Sequence, residues 1–190
     1  DEKLAEKTFE DYLIDGALVA VDQVCKQTGE DSVDFAGYCL GGTMAMTTLA
    51  YMAAKKDKRG NAGTFFTTML DFSEPGELGV FLDEAAVSGL EKKMAERGYL
   101  EGSEMAGTFN MLRANDLIWS FVVNNYLMGR NPFPFDLLYW NSDSTRMPAA
   151  MHSFYLRNMY LKNLLKKPGG IKLAGVPIDV AKAAMPLYFV

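Results

Sequence analysis

The sequence predicts an α/β protein in which helices cover a parallel sheet and a mostly helical segment is inserted into that core. Two observations support this prediction. Within the first 70 residues, a helix pattern, a strand pattern, a glycine-rich turn, a second helix pattern and a second strand pattern follow one another. About a hundred residues of helix and loop pattern come next, before a last apolar stretch. Two strands that flank one helix are joined by a crossover, so we expect them to pair in parallel.

Residues 1–70 are predicted to form the core. Its first element is an amphipathic helix. Apolar residues recur every three to four positions across residues 8–26, as on one face of a helix. Thr8 and Asp11 have the spacing of a capping box at its start. Gly29 is expected to end the helix, because glycine readily adopts the left-handed conformation found after a last helical turn.

Two strands and the helix between them complete the predicted core. Residues 32–36 form a short strand pattern, and the glycine-rich turn at 37–42 follows directly. The next helix pattern extends through Met52, and Gly60 is expected to stop it. Residues 63–70 are rich in aromatic and β-branched side chains, which favours a buried strand.

Residues 71–173 are predicted to form a helical cap inserted into the core, and residues 174–190 to return to the sheet. The helices expected in the cap cover residues 84–97, 115–128 and 147–167, and the returning strand covers residues 185–190. The segment 131–135 cannot be regular helix, because it contains two prolines.

Composition limits the functions that the chain can have. Its 190 residues correspond to one domain or a large part of one. Hydrophobic residues make up 49% and charged residues 23%, as in folded globular proteins. The net charge of −5 argues against nucleic acid as a partner, because phosphate-binding proteins usually carry a basic excess. No apolar run is long enough to be a transmembrane segment, and the charged first residues exclude a signal peptide, so we expect a cytoplasmic location.

The two cysteines indicate neither a disulfide framework nor a zinc site. Cys25 and Cys39 are 14 positions apart, without a second pair or a nearby histidine. We therefore expect no bound metal, and nothing in the sequence indicates a cofactor. Cys25 lies on the first predicted helix without a basic or catalytic neighbour, so we expect it to serve in packing only.

The turn Gly37-Tyr38-Cys39-Leu40-Gly41 carries the clearest chemical signal. It is a Gly-x-Cys-x-Gly nucleophile elbow between a predicted strand and a predicted helix, as in the α/β-hydrolase fold. Gly37 and Gly41 are expected because a Cβ at either position would clash in the strained turn. The following helix N-terminus favours the thiolate of Cys39, and the backbone N–H of Leu40 is expected to form half of an oxyanion hole. The alternative is that Cys39 is a small buried apolar residue.

The partners that a cysteine nucleophile requires are not evident in the sequence. His152 is the only histidine, and it lies on a predicted cap helix, whereas the fold places its catalytic histidine after the last strands. We therefore expect a local role for His152 in the cap and a base beyond residue 190. No triad acid is assigned, because the available carboxylates are more simply explained as helix caps or turn residues. These carboxylates are Asp71, Asp116, Asp136, Asp143 and Asp179.

The insertion is rich in methionine and aromatic residues, for which two interpretations are open. Such residues most often form plain core, and in a cap they are also suited to line a channel that accepts an acyl chain. The aromatic residues concerned are Phe133, Phe135, Tyr139, Trp140, Phe154, Tyr155 and Tyr160.

Several sequence blocks carry a family resemblance. They are Gly-Tyr-Cys-Leu-Gly-Gly-Thr (37–43), Thr-Met-Leu-Asp-Phe (68–72), Asn-Asp-Leu-Ile-Trp (115–119), Pro-Phe-Asp-Leu-Leu-Tyr-Trp-Asn (134–141) and Phe-Tyr-Leu-Arg-Asn (154–158). In this order they resemble the catalytic domain of class I polyhydroxyalkanoate synthases, nearly from end to end. Several blocks in order are far more specific than one elbow motif.

The resemblance implies a function and assigns residues to it. In that family the elbow cysteine is the acylated nucleophile, a role that transfers to Cys39, and residues 71–173 match the cap. The implied activity is polymerisation of (R)-3-hydroxyacyl-coenzyme A (CoA), with short units such as 3-hydroxybutyryl-CoA expected, into a growing polyester with release of CoA. The family's catalytic Asp and His both fall beyond Val190, so we expect an inactive fragment of a longer protein. A cytoplasmic homodimer at the surface of polyhydroxyalkanoate granules is also implied.

Two other readings of the motif remain as alternatives. The elbow also resembles that of dienelactone hydrolases, which would make the protein a cysteine hydrolase, but that small fold lacks a hundred-residue helical cap. A noncatalytic α/β-hydrolase-like binding protein with an incidental cysteine is the third reading. Nothing in the sequence favours it except the missing Asp and His.

Overall fold

The computed structural model describes residues 2–132, 134–143 and 145–190, and it shows an α/β architecture. The α-helices are α1 (Phe9–Asp11), α2 (Val19–Thr28), α3 (Leu40–Ala54), α4 (Glu84–Arg97), α5 (Gly102–Leu112), α6 (Asp136–Ser142) and α7 (Ala149–Tyr155). Single π-helical segments cover Tyr12–Leu18, Asn115–Trp119, Val122–Leu127 and Leu156–Leu161, and 3₁₀ turns cover Glu2–Leu4, Gly76–Phe81 and Val180–Lys182. The strands are β1 (Val33–Tyr38), β2 (Gly60–Phe66), β3 (Lys172–Leu173), β4 (Val176–Pro177) and β5 (Leu187–Phe189).

The main sheet has the strand order β1-β2-β5 and is parallel throughout. Gly37 pairs with Phe65, and Phe65 pairs with Phe189 on its other side. The predicted parallel sheet is therefore confirmed. Because the strands are parallel, their carboxyl ends lie at one edge, where the turn after β1 is located. The antiparallel hairpin of β3 and β4 was not predicted, because strands of two residues are too short to show a periodic pattern.

The first helix is confirmed, including both of its ends. The backbone N–H of Thr8 donates to Asp11 Oδ2 (2.7 Å), and the Asp11 N–H donates to Thr8 Oγ1 (3.1 Å), which completes the capping box. Gly29 ends α2 with a φ of 76°. A π-helical segment joins α1 to α2, and Phe9 of α1 and Leu13 of the π segment are both fully buried.

Helix α3 lies between two apolar clusters and is buried almost all round. Ala50 and Tyr51 belong to the cluster formed with α1 and α7, whereas Leu49 and Met52 pack with Phe65 of β2. Its buried hydroxyls are satisfied by backbone carbonyls, in the pairs Thr43–Met69, Thr47–Thr43 and Thr48–Met44 at 2.7–2.8 Å. A central helix packed on both sides holds the turn at its N-terminus in place.

Two predicted boundaries around β2 are wrong. Gly60 does not stop α3: the helix ends at Ala54, Lys56 adopts a left-handed φ of 60°, and Gly60 is the first residue of β2. The strand ends at Phe66 rather than at residue 70, because Thr67 also has a positive φ (45°). Each boundary is set by a left-handed non-glycine residue, which composition does not reveal.

The helical segment is only partly as predicted. Helix α4 has the predicted bounds, but α5 and α6 were not predicted, and π-helical segments occupy part of residues 115–128. The helix expected over 147–167 ends at Leu161, where Asn163 follows with a φ of 46°. None of the described side chains of α5 or of the two π segments after it is buried. In the described part of the chain, no helix is both long and apolar enough to cross a membrane.

Candidate active site at the turn between β1 and α3

Cys39 lies in a sharp turn between β1 and α3. Its φ of 51° and ψ of −121° are unusual for a residue with a Cβ. The Cys39 N–H donates to the Phe66 carbonyl (3.0 Å), and the Cys39 carbonyl accepts from the N–H groups of Gly42 (3.0 Å) and Thr43 (3.1 Å). The side chain is exposed, so the alternative that Cys39 is a small core residue is wrong. The predicted strand, turn and helix around Cys39 are confirmed.

The glycines of the turn are required for close packing, but not in the pattern predicted. A Cβ on Gly37 would overlap the Cα of Gly42, as expected for the residue two before Cys39. The expectation for Gly41 is wrong, because a Cβ there would meet nothing within 4 Å. Gly42 is the second crowded position, where a Cβ would overlap the side chain of Thr68. The loop after β2 therefore requires glycine at residue 42.

Leu40 is the first residue of α3, as the elbow motif predicts. The N–H groups of a first helical turn have no acceptor within the helix, so the Leu40 N–H is available to a group bound beside Cys39. The positive end of the helix dipole lies at the same position and favours negative charge there. This arrangement suits a thiolate and an oxyanion, while the role of Leu40 stays a prediction.

Two tyrosines that the sequence indicated only as core or channel residues lie in the apolar cluster that also includes Leu40, the residue after Cys39. Burial is the main cause that raises the pKa of Tyr155 and of Tyr160, and the charge of Cys39 raises both pKa values further. A hydrogen bond with Thr43 acts to lower the pKa of Tyr155. The Tyr155 and Tyr160 rings form an edge contact with centroids 5.5 Å apart, and both pack on Phe72. No sequence signal pointed to them, because their approach to Cys39 depends on how α7 docks on α3.

The remaining aromatic residues of the predicted insertion divide into two groups. Phe154 packs on Phe9, with ring centroids 5.4 Å apart, as expected of a core residue. Tyr139 and Trp140 are 84% and 69% exposed, so the core interpretation is wrong for them. Phe135 is exposed as well, and Phe133 lies outside the described residues.

Asp71 joins the loop after β2 to the end of the last π segment. Its carboxylate accepts from Asn163 Nδ2 (2.7 Å) and from the Ser73 hydroxyl (2.8 Å), and it pairs with Lys166 Nζ (2.6 Å). The Phe72 N–H donates to Asn163 Oδ1 at 2.9 Å. Lys166, Asn163 and Ser73 together hold the pKa of Asp71 well below its usual value. Asp71 is thus fully engaged in a structural contact.

The other four carboxylates without an assigned catalytic role lie at helix ends, in a turn cap or in an ion pair. Asp179 caps a 3₁₀ turn by accepting from the Ala181 N–H, and Asp116 pairs with Arg113. Asp136 is the first residue of α6, and Asp143 follows its last. In the described part of the chain, no group of three or more His, Cys, Asp and Glu side chains is placed to hold a metal ion.

His152 lies on α7 and is 5% exposed. Its Nδ1 atom is buried without a hydrogen-bond partner among the described residues. Burial alone lowers the pKa of His152, and no interaction with Cys39 contributes. The structure therefore gives His152 a place in the packing of the helical segment and no contact that would activate Cys39.

We expect the buried His152 to make the fold sensitive to mild acid. The folded protein disfavours the imidazolium, so the pKa of His152 is lower folded than unfolded, where it is about 6.5. Stability is then retained above about pH 6.5 and lost as the pH falls below that value, since the unfolded state takes up the proton first. Urea unfolding at pH 7 and pH 5 measures this loss, which His152→Leu should reduce. An equal loss in the variant would contradict the prediction.

Comparison with known proteins identifies relatives over nearly the whole chain, although no protein-family model matches it. The chain is 53% identical over 188 residues to the poly(3-hydroxyalkanoate) polymerase of Methylorubrum extorquens, covering 99% of the chain and 31% of that protein. It is 53% identical over 188 residues to the polymerase subunit PhaC of Rhizobium meliloti (99% and 31%). It is 42% identical over 193 residues to PhaC of Cupriavidus necator (99% and 33%). The chain spans about a third of the length of these relatives, and over that third it belongs to the family of poly(3-hydroxyalkanoate) polymerases.

Proposed function

We propose that this chain supplies the nucleophile of a polyhydroxyalkanoate polymerase. The substrate is (R)-3-hydroxyacyl-CoA with a short acyl chain, such as 3-hydroxybutyryl-CoA, and the products are polyester and free CoA. The observation that carries the proposal is the position of Cys39, exposed and in a strained backbone conformation at the N-terminus of α3. A strained residue persists only where surrounding contacts hold it, and such residues concentrate at functional sites.

The proposed reaction has two transfers. The Cys39 thiolate attacks the thioester carbonyl carbon, a bond forms from Sγ to that carbon, and CoA leaves with the electrons of the broken carbon–sulfur bond and takes up a proton. The hydroxyl oxygen of another acyl unit then attacks the carbonyl carbon of the acyl group on Cys39 and passes its proton to a base. An ester bond forms, the bond from that carbon to Sγ breaks, and Cys39 leaves as the thiolate. The Leu40 N–H donates to the oxyanion of each step. Exchange between two thioesters is nearly balanced in energy, so the acyl group remains reactive for the second transfer.

We also propose the α/β-hydrolase fold, with residues 1–70 as core, 71–173 as cap and 174–190 as the return to the sheet. The parallel order β1-β2-β5 and the turn after β1 support this assignment. The base and acid of Cys39 would be a His and an Asp beyond Val190. A chain that continues from β5 emerges at the edge of the sheet that carries Cys39, because the strands are parallel. Residues 1–190 alone would then have no turnover, since general-base assistance contributes roughly 10²- to 10⁴-fold.

The proposed partners are the growing polyester, a second copy of the protein and the granule surface in the cytoplasm. What supports an apolar partner is the exposure of large apolar side chains from α5 through α6. Among the most exposed are Met111, Trp119, Tyr126, Leu127, Tyr139 and Trp140. The hydrolase alternative has less support, because the similarity to polymerases extends through the whole helical segment. The binding-protein alternative does not account for a strained, exposed cysteine.

The experiment that tests the proposal is acylation of Cys39. The complete polymerase is mixed with 3-hydroxybutyryl-CoA, quenched in acid within seconds and digested, and the peptide that contains Cys39 is analysed by mass spectrometry. We expect this peptide to gain the mass of one or more 3-hydroxybutyryl units, bound as a thioester that hydroxylamine removes. An unmodified Cys39 during active CoA release would refute the proposal. Cys25, on α2, is the internal control and should stay unmodified.

A further inference from the structure

Tyr155 and Tyr160 lie on the same face of their helix only because its last turn is a π-helix. Tyr155 is the last residue of α7, and Tyr160 lies in the π segment Leu156–Leu161. In an α-helix, residues five apart point about 140° away from each other. A π turn has hydrogen bonds from residue i to i+5, such as the Lys162 N–H to the Arg157 carbonyl (3.1 Å), and so aligns residues five apart. The edge contact of the two rings, in the apolar cluster that includes Leu40 beside Cys39, depends on this turn.

Arg157, in the same π turn, is held by α4 through every nitrogen of its guanidinium. Its Nε donates to Glu91 Oε1 (2.6 Å) and its Nη2 to Glu91 Oε2 (2.7 Å), which makes a bidentate pair. Its Nη1 donates to Glu84 Oε1 (2.6 Å), and Nη2 also contacts Ser88 Oγ (3.2 Å). Ser153, one turn earlier on α7, donates to Glu91 as well.

The bidentate pair of Arg157 with Glu91 is less exposed than typical surface ion pairs, whereas Glu84 is 70% exposed. The side chains of Arg157 and Glu91 are 28% and 24% exposed, whereas exposed pairs such as Arg113–Asp116 are 66% and 60% exposed. Partial burial reduces screening by water, and two parallel charge-assisted hydrogen bonds fix the direction of the guanidinium. The Arg157 side chain therefore anchors the π turn to α4 in one orientation.

We propose that Arg157 is a positioning residue: its pairing with Glu91 and Glu84 holds the π turn that keeps Tyr160 beside Tyr155 at Cys39. This inference rests on the proposed function of Cys39. Isolated π turns are rare and persist where surrounding contacts favour them over α-helix. Without the pairing, the turn relaxes towards α-helical geometry, and the Tyr160 hydroxyl rotates away from the acyl group on Cys39. The chemical step slows, although Arg157 touches neither substrate nor Cys39.

The test is a double-mutant cycle in the complete polymerase, with the rate of CoA release from 3-hydroxybutyryl-CoA as readout. Arg157→Lys keeps the charge but cannot form the bidentate pair. We expect Arg157→Lys and Tyr160→Phe each to lower kcat about tenfold or more, with KM changed less than twofold. The double variant should be no slower than the slower single variant, because both changes remove the same contribution. Glu91→Gln should behave as Arg157→Lys does.

Arg113→Lys is the matched control, since it changes an exposed pair on the same insertion, and it should keep the wild-type kcat. Multiplicative losses in the double variant would overturn the proposal, because they would show that Arg157 acts independently of Tyr160. An unchanged kcat in Arg157→Lys or in Tyr160→Phe would overturn it too. All rates are measured well below the melting temperature of each variant, so loss of folded protein does not enter. Failure of the proposed function is seen separately, as absence of acylated Cys39 in the wild-type enzyme.

Discussion

Replacement of Cys39 by alanine in the complete polymerase is expected to abolish CoA release from 3-hydroxybutyryl-CoA. Alanine removes the sulfur that forms the acyl bond, and no other described cysteine lies in the turn, since Cys25 is on α2. Loss of a covalent nucleophile typically lowers kcat by several orders of magnitude. In a well-studied hydrolase the loss is about 10⁶-fold. Release of free thiol, followed with a chromogenic disulfide, measures the effect.

Cys25→Ala is the control for this experiment and should keep wild-type turnover. Its side chain is half-buried and packs at the margin of the apolar cluster around Leu49. The melting temperature of the Cys39→Ala protein should be close to or above that of the wild type. The cysteine is exposed, so its replacement by alanine removes no core packing. Appreciable CoA release by a folded Cys39→Ala protein would show that the nucleophile is misassigned.

Gly37→Ala is expected to destabilise the protein and to impair the site, whereas Gly41→Ala is not. The new Cβ at residue 37 would overlap the backbone of Gly42, which cannot move without shifting the start of α3. Overpacking of this kind costs about 1–3 kcal/mol, and displacement of the turn would also misalign Cys39. At residue 41 the Cβ meets open space, and alanine favours helix by about 1 kcal/mol over glycine.

Urea unfolding of both variants beside the wild type separates the two effects. The midpoint should fall for Gly37→Ala and stay level or rise for Gly41→Ala. Equal destabilisation by the two substitutions would mean that the elbow needs both glycines, as the motif alone suggests, and that the open space beside Gly41 is filled in the folded protein.

Local sequence signals predicted the elements well where their cause is local. The capping box of Thr8 and Asp11, the left-handed Gly29 and the full extent of α4 were all predicted, since each depends on residues within a few positions. The elbow around Cys39 was found for the same reason: a strand, a glycine-rich turn and a helix are contiguous in the chain.

Boundaries that depend on distant contacts were missed. The end of β2 is set by the backbone at Thr67, whose N–H donates to the Val190 carbonyl, far away in sequence (2.8 Å). The need for glycine at residue 42 arises from Thr68 in the loop after β2, so the motif pointed to Gly41 instead. The helix expected to reach residue 167 ends at Leu161, where Asn163 turns to bind Asp71.

The sequence by itself determined the α/β class, the position of Cys39 between a strand and a helix, and the family to which the chain belongs, because these follow from contiguous patterns. Only the tertiary structure decided which side chains pack beside the turn that carries Cys39. Tyr155 and Tyr160 share an apolar cluster with Leu40 because α7 packs on α1 and α3, and Arg157 pairs with residues of α4 that lie more than 60 positions earlier. Such contacts arise from the packing of whole helices, which no local pattern of residues specifies.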